Sequence, residues 1–268
     1  MKVTFLGTGT SSGVPMVACN CAVCCSVNSK DKRLRTSILI SNDNESYAID
    51  SGPDFRQQML ANNVKQLHGI VYTHEHIDHT GGLDDIRGYN HFMQQPMNLF
   101  ASKTVQAAIQ KQFYYIFTEN KYPGIPQVNF KEIEAGKKFY LGSLAVQPIE
   151  VMHLKMAVLG FRINDFTYIT DANFINESEI EKIKGTKILV LNALRIQKHI
   201  SHFSLSEAIA FAQYIGAEKT YFTHISHQLG LHDDVQKILP ENMFLAYDGL
   251  QINCDYINSN YKIAQTIL

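Results

Sequence analysis

The segment H-E-H-I-D-H at residues 74–79 constrains this chain more than any other, because it sets four potential metal ligands within six residues directly after the apolar run G-I-V-Y-T. Alternate residues of an extended chain point the same way. His74 and His76 can therefore grip one ion, while Asp78 and His79, at the bend that follows, face another. Imidazole and carboxylate together suit zinc, manganese or iron. Gly81 and Gly82 open the chain directly beyond the cluster.

Two ions need more than four ligands, so further His and Asp residues are expected at other strand ends. His153 ends I-E-V-M-H, Asp171 ends F-T-Y-I-T-D and His224 ends K-T-Y-F-T-H. Each follows an apolar run, and ligands at the ends of neighbouring strands can converge on one edge of a sheet. Other strand-like runs lie at residues 2–9, 36–41, 46–50, 160–163, 187–194 and 243–249, and residues 139–153 form one long β-rich stretch. Helical patterns fall at 104–117, 177–185 and 204–216. In the last, Leu205, Ala208, Ile209 and Ala212 repeat at helical spacing, Ser204 suits an N-cap and Gly216 a stop. The pattern is that of one α/β domain over residues 1–268. Residues 118–130, with Pro123, Gly124 and Pro126, break both periodicities and read as a surface loop between two halves.

With 45% hydrophobic residues, 268 residues can bury a sizeable core. A net charge of -1 and a charged fraction of 18% give no electrostatic case for wrapping nucleic acid or steering to a membrane. The opening V-T-F-L is too short for the apolar core of a signal peptide, and no segment approaches the ~20 continuous apolar residues that span a bilayer. The five cysteines are odd in number and four crowd into Cys19, Cys21, Cys24 and Cys25, which suits metal better than a disulfide ladder and points to a reducing cytoplasm. The triad C-x-C-x-x-C at Cys19, Cys21 and Cys24 can chelate one tetrahedral zinc if a fourth ligand comes from elsewhere.

The ordered set Asp50, His74, His76, Asp78, His79, His153, Asp171 and His224 resembles the signature of the metallo-β-lactamase superfamily, across nearly the whole chain. The resemblance implies a four-layer αββα sandwich. In it His74, His76 and His153 would hold one catalytic metal, Asp78, His79 and His224 a second, and Asp171 would bridge both. Asp50 would orient ligating histidines rather than bind metal itself. Two divalent ions, Zn, Mn or Fe, roughly 3.5 to 4 Å apart could share one hydroxide as nucleophile at neutral pH and neutralise charge on a phosphoryl or carbonyl oxygen. His202 is the candidate proton donor to the leaving group, with His199 its neighbouring alternative. His76 in second position separates the chain from the H-x-E-x-D-H of flavo-diiron oxidoreductases, and Asp171 from the bridging-position Cys of true β-lactamases.

The run L-G-T-G-T-S-S-G-V-P, followed by C-N-C-A-V-C and by T-H-I-S-H near residue 224, is similar to the phosphoribosyl cyclic phosphodiesterases of carbon-phosphorus lyase pathways. That likeness implies one structural zinc on Cys19, Cys21, Cys24 and His227, and an added active-site histidine at His202. Cys25 leaves open which thiolate is the last ligand. A small, cyclic or linear phosphodiester is the expected substrate. The alternatives are tRNA 3′-processing by an RNase Z-like endoribonuclease and hydrolysis of a thiolester in the manner of glyoxalase II. A metal-holding scaffold without catalysis would not explain seven ligands. No membrane partner is expected, nucleic acid is the less favoured partner, and the oligomeric state stays open, a homodimer included.

Overall fold

The computed structural model describes residues 1–119 and 122–254. Lys121, part of the loop read from the sequence, lies outside the described residues. In chain order the strands are β1 (Lys2–Gly7), β2 (Ser37–Asn42), β3 (Glu45–Ile49), β4 (Gly69–Val71), β5 (Met97–Ala101), β6 (Val128–Glu132) and β7 (Phe139–Leu141). They continue as β8 (Leu144–His153), β9 (Met156–Ile163), β10 (Phe166–Ile169), β11 (Ile188–Asn192), β12 (Lys219–Thr223), β13 (Met243–Leu245) and β14 (Gln251–Asn253). The helices are α1 (Phe55–Ala61), α2 (Ile77–Thr80), α3 (Arg87–Met93), α4 (Lys103–Gln112), α5 (Glu177–Ile183), α6 (Leu205–Ile215) and α7 (His232–Ile238).

Two seven-stranded sheets result, ordered β14-β1-β2-β3-β4-β5-β6 and β13-β12-β11-β10-β9-β8-β7. Strands covered on both faces must be apolar on both, and alternation decides which core each residue joins. Ile38 and Ile40 of β2 and Val190 of β11 point between the sheets, with Phe161 and Tyr168. Leu39 of β2 faces outward to α1 and α4, among Phe55, Met59, Val105 and Ile109. Leu189 and Leu191 of β11 face outward the other way, to Ile180, Leu205, Ala208 and Val235 of α5, α6 and α7. The layers run helix, sheet, sheet, helix: the αββα sandwich. None of the described helices is long and apolar enough to cross a membrane.

Two sequence expectations are revised by packing. Residues 128–130 are not loop but the start of β6, which pairs in parallel with β5. The stretch 139–153 is a hairpin rather than one run, because Gly142 at φ +57° turns the chain between β7 and β8. Helix α6 is built as its sequence suggests. Ser204 and Glu207 form a capping box at its start, and Gly216, left-handed at φ +70°, ends it.

The topology fixes where chemistry can sit. β3, β4, β5 and β6 run parallel in one sheet and β10, β11, β12 and β13 in the other, so their carboxyl ends gather along one rim. Side chains just beyond those ends meet across the mouth of the sandwich.

Candidate metal centre

Three of the singled-out residues lie just past a strand in left-handed backbone: Asp50 directly after β3 (φ +65°), Asp171 two residues beyond β10 (φ +53°) and His224 directly after β12 (φ +54°). Non-glycine residues there carry strain of order 1–3 kcal/mol, which the surrounding sheet must hold in place. The kink turns each side chain off the strand line and into the rim. A threonine directly precedes three of the candidate ligands, as Thr73-His74, Thr170-Asp171 and Thr223-His224. Two of these hydroxyls brace the site: Thr170 donates to Asp171 Oδ2 at 2.6 Å, and Thr73 Oγ1 lies 2.9 Å from both Asp50 Oδ2 and His74 Nδ1. This T-H/T-D repeat was present in the sequence but not used there.

Asp171 lies at the middle of the cluster and is buried. Its Oδ1 is 3.0 Å from His202 Nε2 and 3.1 Å from His224 Nε2, and its Oδ2 is 3.3 Å from His79 Nε2. Asp78 Oδ2 is 3.3 Å from His79 Nε2 and 4.0 Å from His224 Nε2. On the other side the rings of His74 and His76 are 4.6 Å apart, and His76 and His153 5.3 Å. His153 is oriented by Nδ1–H donation to the Ser201 carbonyl at 2.8 Å. Asp50 stays behind, accepting from His79 Nδ1 at 2.7 Å and from the Thr73 N–H at 2.9 Å. Ligand-capable atoms gather as His74, His79 and Asp171; as Asp78, His79 and His224; and as His153, Asp171 and His202. His202 therefore sits at ligand distance as well as proton-donor distance. His76 is exposed and His153 half-buried, so the His74–His76–His153 side opens to solvent while the Asp78–His79–His224 side is enclosed.

Charge in the cluster is poised for cations. Burial works against the Asp171 carboxylate, but His224 and His79 outweigh it and hold its pKa well below the usual range. Burial likewise disfavours a charged His224, yet Asp171 and Asp78 raise its pKa to about 9. Burial lowers that of His202 to about 4, against the pull of Asp171. Among the described residues four buried imidazole nitrogens, His74 Nε2, His79 Nε2 and both of His224, make no aligned hydrogen bond, although His79 Nε2 and His224 Nε2 are in ion-pair contact with Asp171. Buried polar atoms are seldom left orphaned. Lone pairs converging on one small volume beside two carboxylates fit divalent cations, which would take the place of the protons held there.

A second cluster joins the loop after β1 to the segment after His224. His227 Nδ1 lies 3.4 Å from Cys19 Sγ and 3.3 Å from Cys21 Sγ, and Cys24 completes the group. Cys25 is exposed and outside it. The Cys24 backbone N–H, with His227 next in weight, lowers the Cys21 thiol to about 6, so this sulfur is ready as thiolate.

A family described as the beta-lactamase superfamily domain matches residues 46–225. The chain is similar to an octanoyltransferase of Porphyromonas gingivalis (strain ATCC BAA-308 / W83), 38% identical over 257 residues. That match covers 95% of this chain, which spans about half (52%) of the length of the relative. In structure the chain resembles a diphosphatase from the PhnP family, with 35% identity, TM-score 0.89 and coverage of 95% of this chain and 98% of the other. Human tRNase Z, short form, shares the fold at 18% identity and TM-score 0.70, over 96% and 100% of the two chains.

Proposed function

The chain belongs to the metallo-β-lactamase superfamily, and from that premise we propose that it is a two-metal phosphodiesterase acting on a small phosphodiester. The observation that carries this reading is the central Asp171 carboxylate, placed within 3.0–3.3 Å of imidazoles from three separate segments. His74, His76 and His153 would hold one cation, Asp78, His79 and His224 the other, and Asp171 would touch both. Divalent ions bound there supply Lewis-acid stabilisation of phosphoryl charge and lower the pKa of water.

The protein's own groups supply the rest. Asp50 orients the His79 ring and the Ser201 carbonyl orients His153, so these two candidate ligands are held in place by the chain itself. Because the ionised Asp171 can only accept, the proton between it and His202 rests on His202 Nε2. That N–H faces the cluster and is placed to donate a hydrogen bond to the oxygen of a departing alkoxide. Phosphate chemistry is supported by the diphosphatase, at 35% identity over nearly the full length of both chains. RNA 3′-end cleavage has less support, since the likeness to tRNase Z is one of fold. Between α4 and β6 the described residues hold a single 3-10 turn, Tyr114–Ile116, rather than an RNA-clamping arm. Acyl transfer is the named activity of a protein about twice as long. A structural zinc on Cys19, Cys21, Cys24 and His227 completes the proposal.

Hydrolysis of bis(p-nitrophenyl) phosphate by protein loaded with manganese, zinc or iron tests it. Release of p-nitrophenol is expected, and no turnover with any of the three refutes the phosphodiesterase reading.

A further inference from the structure

A cavity of about 280 Å³ adjoins the metal centre and shares His74 as a wall. It opens between the end of β4, the start of α4 and the β8–β9 hairpin, with Glu75, Glu150, Ser102, Thr104, Met156 and Leu159 in its lining. Glu150 is the unusual member. It stands directly opposite Leu159 in the β8–β9 register, and opposed residues share a sheet face. Leu159 belongs to the core between the sheets, with Val146, Phe161 and Ile163. Glu150 is thus a carboxylate on the core face of a strand, where that core gives way to the cavity.

Neither the Glu150 nor the Glu75 carboxylate makes a hydrogen bond or ion pair with the chain among the described residues, although both side chains are half-buried. No Lys or Arg lines the cavity. A partly desolvated carboxylate is costly unless something pairs with it. Ser102 and Val105 place the N-terminal end of α4 against this space, but its dipole offers about half a positive charge against two full negative ones. The remaining wall, Met156 with Ala157 and Leu159, is apolar and suits alkyl groups.

We infer that this cavity is the subsite for the alcohol part of the diester, and that it selects a cationic, ammonium-bearing substituent over a neutral or anionic one. The inference rests on the phosphodiesterase reading and gives that site its substrate class. A second phosphate at this position would meet two carboxylates and no counter-charge. An alkylammonium would neutralise them while its methyl and methylene groups cover Met156 and Leu159.

The test compares p-nitrophenyl phosphorylcholine with its neutral isostere, 3,3-dimethylbutyl p-nitrophenyl phosphate, on the metal-loaded enzyme. The ratio of their kcat/KM values is expected to be about 5- to 10-fold in favour of choline, the scale of a partly exposed ion pair. It should fall toward one in Glu150→Gln and Glu75→Gln, shrink with added salt, and persist in Glu150→Asp, which keeps the charge. A ratio of one in the wild-type protein, or one unchanged in Glu150→Gln, overturns the subsite. If neither diester nor bis(p-nitrophenyl) phosphate turns over, the phosphodiesterase reading fails. Choline binding seen by saturation-transfer NMR then decides the subsite: a signal abolished by Glu150→Gln supports it, and no signal overturns it.

Discussion

Asp171→Asn keeps the shape of the central side chain and removes the charge on which three imidazoles converge. His202, His224 and His79 stand 3.0, 3.1 and 3.3 Å from that carboxylate, all of them buried. Removing one partner from a buried charge cluster costs about 3 kcal/mol. At roughly 2–4 °C per kcal/mol for a chain of this size, metal-stripped protein should melt about 6–12 °C lower. The gap has a pH signature. In the folded protein burial works against a protonated His224, but Asp171 outweighs it and raises the pKa from 6.5 to about 9. A raised folded-state pKa adds stability that is complete below the unfolded value and is lost as pH rises through the folded one. The difference in melting should therefore be widest near pH 6 and narrow toward pH 9. With metal supplied, elemental analysis should find fewer than two catalytic ions per chain, and turnover should drop roughly 10³-fold or more, the scale of losing a preorganised charge-stabilising group. A variant that keeps both metals and a rate within tenfold, or that melts like wild type when stripped, would refute the central role given to Asp171.

His202→Ala should keep both catalytic metals while slowing turnover by about 10² to 10⁴-fold. Loss of a metal would instead make His202 a ligand, as its place beside His153 and Asp171 permits. Cys21→Ser should release one zinc per chain and lower the melting temperature, because metal bound only by the folded state adds its binding energy to folding; unchanged zinc content and melting would show plain thiols. Gly52→Ala would put a Cβ 2.0 Å from the Asp78 carbonyl oxygen, so the backbone holding Asp78 must move. That variant should lose metal from the Asp78–His79–His224 side and cost about 1–3 kcal/mol in melts, the usual price of overpacking; wild-type metal content would show that the loop yields freely.

The sequence by itself determined an α/β chain and most of the candidate ligands from local signals, while the sandwich was implied by the resemblance that those ligands carry. Apolar runs such as K-I-L-V-L-N-A-L are long enough to name strands, and His or Asp at their ends is visible without coordinates. Some short elements were not legible: strand β5, five residues long directly after Pro96, and the seven-residue helices α1, α3 and α7 went unread, although α5, of the same length, was read from its charged and apolar pattern. Phe55, Gln58 and Met59, buried at helical spacing on α1, were the signal available for one of them.

Tertiary structure set the contacts between residues distant in sequence, which local pattern left open and the resemblance only implied. The contact of His79 with Asp50 spans 29 positions, that of His202 with Asp171 spans 31, and that of Cys21 with His227 spans 206. It set Cys24 rather than Cys25 beside His227, since one thiol turns inward and the next outward. In the sequence Glu150 is one polar residue within an apolar run. Only the β8–β9 register shows that it faces the core side, because pairing is fixed by the hydrogen bonds and packing of both strands together rather than by either alone.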